Sequence, residues 1–596
     1  MNANSDVINK TSIASKLRFN MVYLAVASVI SLSACTSSNQ RELEEQVAAK
    51  EAKEQAQQLE MVQVTGSRLN KQQERQKQHA MKLRQQAMSQ SLMADSSAVI
   101  LNRSIPPAPP QQPISSENYE QTPENGVFIT ANQPVSTFSI DVDTASYSNT
   151  RRMLNQGVLP PADAIRVEEF VNYFDYQYPQ ATDSEHPFVI DSQISRSPWN
   201  KERLLMKIGI KAPEPEKGDQ AVDKNLVFLL DVSGSMNSQN KLPLVKRALM
   251  MLTKQLTSSD SVAIVVYAGA SGVVLEPTAG NDRFNIEQAL EKLSAGGSTN
   301  GGQGIELAYK LAKKSFKQNG INRVILATDG DFNVGTVDHE QLIDLIEKKR
   351  NEGVELTTLG FGQGNYNDHL MEQLANKGNG NYAYIDSIHE ARKVLVDQLD
   401  ATLQSVAKDV KIQVEFNPAQ VAEYRLIGYE NRVLNQEDFN NDKVDAGEVG
   451  AGHSVTAFYE VVLTNGDRFN DELRYQSTPS QSSNGKDQEL AYVKLRYKPI
   501  GSANSVLISQ AVNSQQIKAF SQQNSDFQFA SSVIVFAQLL KKSAYTENMS
   551  FQSVLDLANQ NKGLDDYGYR AEFVNLVRTT INLQPEVLDG AELTSR

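Results

Sequence analysis

From about Asn225 to Leu403, short apolar runs alternate with longer stretches whose apolar residues recur at helical spacing. "NLVFLLDVS", "SVAIVVYAG", "RVILATDG", "VELTTLGFG" and "YAYID" read as strands. "KLPLVKRALMMLTKQL", "NIEQALEKL", "GGQGIELAYKLAKKSF", "HEQLIDLIEKKRNEG", "DHLMEQLANKGNG" and "HEARKVLVDQLDATL" read as helices. The strands are nearly continuous in apolar residues, the pattern of strands covered by helices on both faces. The segment is expected to be α/β, a doubly wound and mainly parallel sheet that binds ligands at the carboxyl ends of its strands.

The flanks have another rhythm. Upstream, "STFSIDVDTASY" and "LLMKIGIKA" read as strands, and "ADAIRVEEFVNYF" puts Ile165, Val167, Phe170, Val171 and Phe174 at helical spacing. The tyrosine-rich "VNYFDYQYP" and the single tryptophan, Trp199, are expected to pack in a core. Downstream of Lys408, "VKIQVEFNP", "EYRLIGYENR", "SVTAFYEVVLT" and "AYVKLRYK" read as half-buried strands. Helices over "DFQFASSVIVFAQLLKKS", "SFQSVLDLANQN" and "YGYRAEFVNLVRTTINL" close the chain. Because both flanks are strand-rich, they are expected to form one β body into which the α/β unit is inserted. The expected divisions are 1–35, 36–125, 126–222, 223–407 and 408–596. There is no fixed-period repeat.

The N-terminus adds a location. Lys10, Lys16 and Arg18 precede an apolar run from Met21 to Leu32, then "LSAC" ending at Cys35. A basic stretch, a short apolar stretch and small residues make a secretory signal, too short to span a membrane comfortably. The pattern resembles a bacterial lipoprotein signal, which implies a lipid on Cys35; Thr36 in the next position implies the outer membrane, with the body facing the periplasm or the cell surface. A plain secretory signal and an uncleaved anchor are the alternatives. Cys35 is the only cysteine, so intrachain disulfides and thiolate metal sites are excluded. Residues 36–125 read as a tether: Gln/Glu/Lys/Ala-rich sequence without a sustained heptad, then the stiff "IPPAPPQQP". As a flexible coil it would reach roughly 50 Å. "VQVTGSRL" faintly resembles the start of a TonB-dependent receptor plug, over too few residues to use. The formal net charge of −13 excludes a basic nucleic-acid footprint.

The chemistry gathers at the strand ends. Asp231-Val-Ser233-Gly-Ser235 closes the first apolar strand, Thr299 lies in the glycine-rich "AGGSTNGG", and Asp329 ends "ILATDG". Together they offer carboxylates and hydroxyls only, a donor set for a hard divalent cation: Mg²⁺ first, with Mn²⁺ and Ca²⁺ as alternatives. Without a Walker lysine the glycines are not a P-loop. The five residues, in this order and on these elements, resemble the metal-ion-dependent adhesion site of the von Willebrand factor A family. That resemblance implies direct coordination by Ser233, Ser235 and Thr299. It also implies direct or water-mediated contacts from Asp231 and Asp329, and a protein partner whose Asp or Glu completes the shell. Gly234, Met236, Asn300 and Gly330 surround the site. "FSIDVDTASYSNTRRMLNQG", "IRVEEFVNYFDYQYP" and "EDFNNDKVDAGEVGAGHSVTAFYEV" resemble the flanks of a group of bacterial lipoproteins with a central A domain.

The expected function is thus an adhesion or scaffold module of the cell envelope, not an enzyme. Two rivals come from other motifs. Asp141 and Asp143 in "FSIDVDTA" resemble the nucleophile motif of haloacid dehalogenase-type phosphatases, although Ala145 stands at its Thr/Val position. A metal-dependent hydrolase is therefore one alternative, and a purely structural envelope protein another. "DFNNDKVDAGE" has the Asp438, Asn440 and Asp442 spacing of a calcium loop, but Lys443 and Val449 occupy the positions of the required Gly and Glu. A weakly calcium-braced loop or a polar turn remains. The histidines, His339, His389 and His453 among them, have no partner at metal or triad spacing and are expected at the surface or at caps.

Overall fold

The computed structural model describes residues 117–181, 186–214, 222–299, 301–330, 339–471, 486 and 488–584. The signal segment, Cys35, most of the tether, Asn300 and Asp331 lie outside them.

The α/β unit is a six-stranded sheet in the order Tyr382–Ile385, Glu355–Phe361, Ile321–Thr328, Lys224–Asp231, Ser261–Tyr267, Ser271–Ala279. All neighbours are parallel except the last pair. That edge strand was not foreseen, because its apolar run is only Val273 to Leu275, cut off by Glu276 and Pro277, and its residues are exposed or half-buried. Lys224–Asp231 lies centrally, with Leu226 to Leu230 fully buried; burying each such side chain contributes about 1.5–3 kcal/mol. The chain turns to opposite sides of this strand in forming its two neighbours. Its carboxyl end is therefore the switch point where such sheets bind ligands.

The flanks share two further sheets. One runs Phe128–Ile129, Val421–Ile427, Ser454–Leu463, Leu204–Lys211, Ile190–Arg196, Ile517–Lys518. The other runs Gly447–Gly450, Ser405–Phe416, Glu489–Pro499, Val506–Asn513, with Val135–Ser139 paired antiparallel to Ser405–Phe416. Their inner faces meet in one apolar core that includes Phe138, Ile208, Val414 and Tyr459. Strands from before and after the α/β unit are thus neighbours within both sheets of one body. A second core joins the tyrosine-rich run to the C-terminal helices Ser525–Lys541, Phe551–Gln560 and Tyr569–Leu583. Trp199 is buried with them, its Nε1–H donating to Glu460 Oε1 at 3.0 Å.

Three local readings change. The helix expected over "ADAIRVEEFVNYF" is only Val167–Val171, preceded by a 3₁₀ turn at Ala162–Ala164, although Ile165, Val167, Phe170, Val171 and Phe174 are all buried. The last α/β helix is interrupted by a π turn over Lys393–Asp397. Residues 117–125, counted with the tether, lie against the body: Asn118 bonds to Tyr366 and Asp368 backbone, and Asn125 Nδ2 donates to Gly428 O at 2.7 Å. Among the described residues, no helix is long and apolar enough to cross a membrane.

A buried arginine joins the three parts. Arg151, on the upstream helix Ala145–Asn155, donates to Asp386 (2.6 Å) and Glu390 (2.7 Å) of the α/β unit and to Glu572 (2.8 Å) of the last helix. Removing one partner of a buried pair strands the other charge. Arg151→Met is expected to lower stability by about 3–5 kcal/mol in denaturant unfolding.

His453 departs from its expected surface role. It is half-buried, its Nδ1 is shielded without a hydrogen-bond partner, and burial lowers its pKa to about 4, with Lys393 nearby acting in the same direction and Asp175 against it. The unfolded chain protonates near the ordinary value of 6.5, the folded chain only lower. The stabilising difference is complete above that value and is lost as pH falls through 6.5 towards 4. Acidifying from pH 8 to 5 should cost about 1–2 kcal/mol through this group, and His453→Gln should flatten that part of the stability profile.

Candidate functional site

Asp231 ends the central strand and is fully buried. A buried carboxylate needs donors. Its Oδ1 accepts from Ser233 N–H at 2.8 Å; its Oδ2 accepts from the hydroxyls of Thr328 (3.0 Å) and Tyr267 (3.3 Å). The register supplies this, since Tyr267 pairs with Asp231 on one neighbouring strand and Thr328 ends the other. Burial raises the Asp231 pKa, Asp329 nearby adds to the rise, and the bonds from Ser233 and Thr328 oppose it.

After Asp231 the chain enters a 3₁₀ turn over Gly234–Asn237, anchored by the fully buried Met236. The turn sets Ser233 and Ser235 side by side, their Oγ atoms 3.0 Å apart. The loop that carries Thr299 is tied to the same turn: Gly234 N–H donates to Gly297 O at 3.0 Å, and Gly296 N–H to Val232 O at 2.8 Å. Gly297 has φ +87°, a conformation that favours glycine. Thr299 is half-buried in this loop, ahead of the helix Gly301–Lys314. Asp329 follows the neighbouring strand and is fully buried. The fold therefore brings the Asp231, Thr299 and Asp329 segments to one edge of the sheet, while Asn300 lies outside the described residues.

The sequence reading missed a cation. Lys241, at the start of the helix Leu242–Thr253, donates from Nζ to Asp329 Oδ2 at 2.8 Å, and both side chains are buried. Its stem runs past Gly362, where a Cβ would stand 2.2 Å from Lys241 Cε. The signal was present in "NKLPLVK", but a lysine opening an amphipathic helix reads as a solvated charge. Thr328 and Tyr267 were missed for a similar reason: both sit in apolar strands, and only the register turns them towards Asp231.

The rival motifs are held in internal contacts. Asp141 Oδ2 accepts from Arg432 Nε at 3.0 Å and its Oδ1 from Asp143 N–H at 2.9 Å. Asp143 Oδ1 accepts the backbone N–H of Tyr382, the edge strand of the α/β sheet, at 2.8 Å. The pair braces a junction, with both side chains buried and their oxygens engaged. In "DFNNDKVDAGE", Lys411 Nζ donates to the carbonyls of Asp438 (3.0 Å) and Asn441 (2.7 Å). An ammonium thus occupies the inside of that turn, in the role a calcium brace would have had.

A six-stranded sheet with this switch-point cluster defines the class: residues 225–398 match the von Willebrand factor type A domain, and residues 113–207 match a family described as von Willebrand factor. Residues 401–583 match the C-terminal domain of "Uncharacterized protein YfbK", and the chain is 45% identical to that Escherichia coli (strain K12) protein over 466 residues, 77% of this chain and 80% of that one. The chain belongs to the YfbK family. It is also 26% identical over 307 residues to human inter-alpha-trypsin inhibitor heavy chain H3, covering 48% of this chain and 34% of that one. Among solved structures, a von Willebrand factor type A protein from Catenulispora acidiphila aligns over 67% of this chain and 91% of its own at 15% identity and TM-score 0.39, a likeness too loose to argue from. Domains of the A type serve in protein–protein interaction and often bind divalent metal ions.

Gly330, directly after Asp329, has a left-handed φ of +85°, and a Cβ there would lie 2.5 Å from Asn367 N. Gly330→Ala should cost about 1–3 kcal/mol in thermal unfolding, more than a Gly→Ala change at the open, negative-φ position Gly296.

Proposed function

We propose that this protein is a lipid-anchored module of the cell envelope that captures protein partners through a divalent cation held at the strand ends of its A domain. The observation that carries the reading is the pair of hydroxyls, Ser233 Oγ and Ser235 Oγ, 3.0 Å apart beside the buried Asp231 carboxylate. Octahedral Mg²⁺ has bonds near 2.1 Å, so adjacent ligands lie about 3.0 Å apart. The spacing of the two hydroxyls fits that requirement. Asp231, Ser233, Ser235, Thr299 and Asp329 would hold the ion, with Mn²⁺ or Ca²⁺ as substitutes. Hydroxyls do not neutralise the cation, so its remaining charge favours an Asp or Glu side chain from the partner. Gly234, which is exposed, would frame that contact; Met236 and Gly330, expected beside it, are buried and would support the turn and the strand end from beneath.

Lys241 sets the strength of the site in this reading. Its ammonium already neutralises part of Asp329. A divalent cation must share that carboxylate with it, which keeps affinity moderate and exchange with a partner's carboxylate feasible. The location rests on the lipoprotein-like signal ending at Cys35, which implies a lipid on the outer membrane and a body held off it by the tether.

Mg²⁺ is expected to raise the melting temperature of the purified protein, and Asp231→Ala to remove that shift. Lys241→Met should tighten Mg²⁺ binding at least several-fold by calorimetry. Crosslinking in cells should capture a partner that is lost when EDTA is applied before crosslinking or when Asp231→Ala is used. Absence of any Mg²⁺-dependent change in melting and capture would reject the site; Mg²⁺-independent capture would point to a scaffold that does not use it. Palmitate labelling lost in Cys35→Ala tests the anchor.

A further inference from the structure

The chain crosses between the β body and the A domain twice, and one turn touches both crossings. The turn spans residues 450–453, between the strands Gly447–Gly450 and Ser454–Leu463. On the way in, Ala212 N–H donates to His453 O at 2.8 Å, and Gly452 N–H donates to Pro213 O at 2.7 Å. On the way out, Ala451 N–H donates to Gln404 O at 2.9 Å. Gly450 lies so close to the last A-domain helix, Leu399–Leu403, that a Cβ there would overlap Ala401 O. Backbone bonds thus fasten both crossings to one short turn.

An independent observation concerns the side chain in that turn. His453 lines a polar cavity at the same seam, about 30 Å³ in volume and so about two waters' worth of space. Asn172 and Asp175 of the β body line it too, with Thr357, Asn381 and Gln398 of the A domain. Buried polar atoms are ordinarily hydrogen-bonded, yet His453 Nδ1 is shielded and has no partner among the described residues. A neutral ring leaves that nitrogen one unmet acceptor; a protonated ring needs an acceptor for both of its N–H groups.

The charges around the ring are few. Asp175, from the segment after the helix Val167–Val171, favours its protonation, and Lys393, on the π turn of the A domain, opposes it. The other charged groups on the packed elements are engaged: Asp143 with Tyr382 N–H, Glu214 with Lys211 (3.3 Å) and Asp400 with Lys224 (3.6 Å). Burial outweighs Asp175, so the folded ring stays neutral down to about pH 4, against 6.5 for an exposed one.

We propose that the turn 450–453 is a pH-sensitive clasp: neutral His453 lets it close on both crossings, and protonation opens it and loosens the A domain's attachment to the β body. An imidazolium gains water only if the cavity opens. The opening falls on the clasp because His453 and its two preceding neighbours make the bonds to Ala212, Pro213 and Gln404. The device uses no residue of the strand-end site and stands whether or not a cation binds there.

Amide exchange in the full-length protein reads the clasp directly. After correction for the intrinsic effect of pH, opening at Ala212, Ala451 and Gly452 should rise about 30-fold from pH 8 to pH 5, the ratio set by values of 6.5 and about 4. At both pH values these amides should exchange faster than those of the core strand Lys224–Asp231, which marks local opening and not unfolding. His453→Gln should hold the rise below about threefold. No rise with acid, an equal rise in His453→Gln, or clasp and core exchanging together would each overturn the proposal. If His453→Gln fails to fold, the wild-type profile decides: a rise that begins near pH 6.5 supports the clasp, and one that begins only below about pH 5, where ordinary carboxylates titrate, refutes it.

Discussion

Backbone pairing between Val135–Ser139 and Lys411–Glu415 holds together two segments that lie on either side of the A domain in the chain. Everything inserted between them has both ends tied to one β body. From the end of the first strand the chain passes directly to Asp141 and Asp143, and Asp143 takes the Tyr382 N–H of the A-domain edge strand. The next helix then carries Arg151 to Asp386 and Glu390. A single antiparallel ladder thus leads in a few residues to the contacts that set the A domain against its support. Without it those buried charges would have no fixed partners, and buried charges without partners are too costly to keep.

The strand-end site shows the same economy of charge on a smaller scale. Asp231 gives up water and receives three donors from its own turn and the two strands beside it. Asp329 receives Lys241. Each of these two acids thus has its charge met by groups of the chain itself. The hydroxyls of Ser233, which is buried, and Ser235, which is exposed, are partnered with each other at 3.0 Å. Were the proposed cation to bind there, it would share Asp329 with Lys241.

The junction differs in balance. There the carboxylates come from both bodies and exceed the arginines that serve them, and burial pushes the carboxyl pKa of Glu168 up to about 7 and that of Glu169 up to about 8, with neighbouring acids reinforcing both. Repulsion of that kind would push the two bodies apart if nothing offset it. The contacts that draw them together, Arg432 across to Glu372 and Arg166 across to Asp368, are made by the same residues that crowd the acids. The interface is therefore electrostatically tuned, where the apolar cores on either side are not.

Much of the architecture was legible in the linear chain. Uninterrupted apolar runs marked the parallel strands, because burial on both faces leaves no room for alternation; "DVSGS" and "TDG" marked strand ends by their abrupt change to small polar residues, and "GGSTN" marked the glycine-rich loop ahead of the helix Gly301–Lys314. The exposed edge strand Ser271–Ala279 left no such mark, since its three-residue apolar run ends at Glu276 and Pro277. The short helix Val167–Val171 looked longer than it is, because its flanking residues are buried by tertiary contacts and not by helical continuation. Spacing in the chain determined which residues reach the carboxyl edge. Only the tertiary structure decided that Lys241 meets Asp329, that Tyr267 and Thr328 serve Asp231, and that Asp141, Glu169 and Glu372 converge. Those contacts join elements distant in sequence, and electrostatic pairing depends on distance in space, which no local pattern of residues encodes.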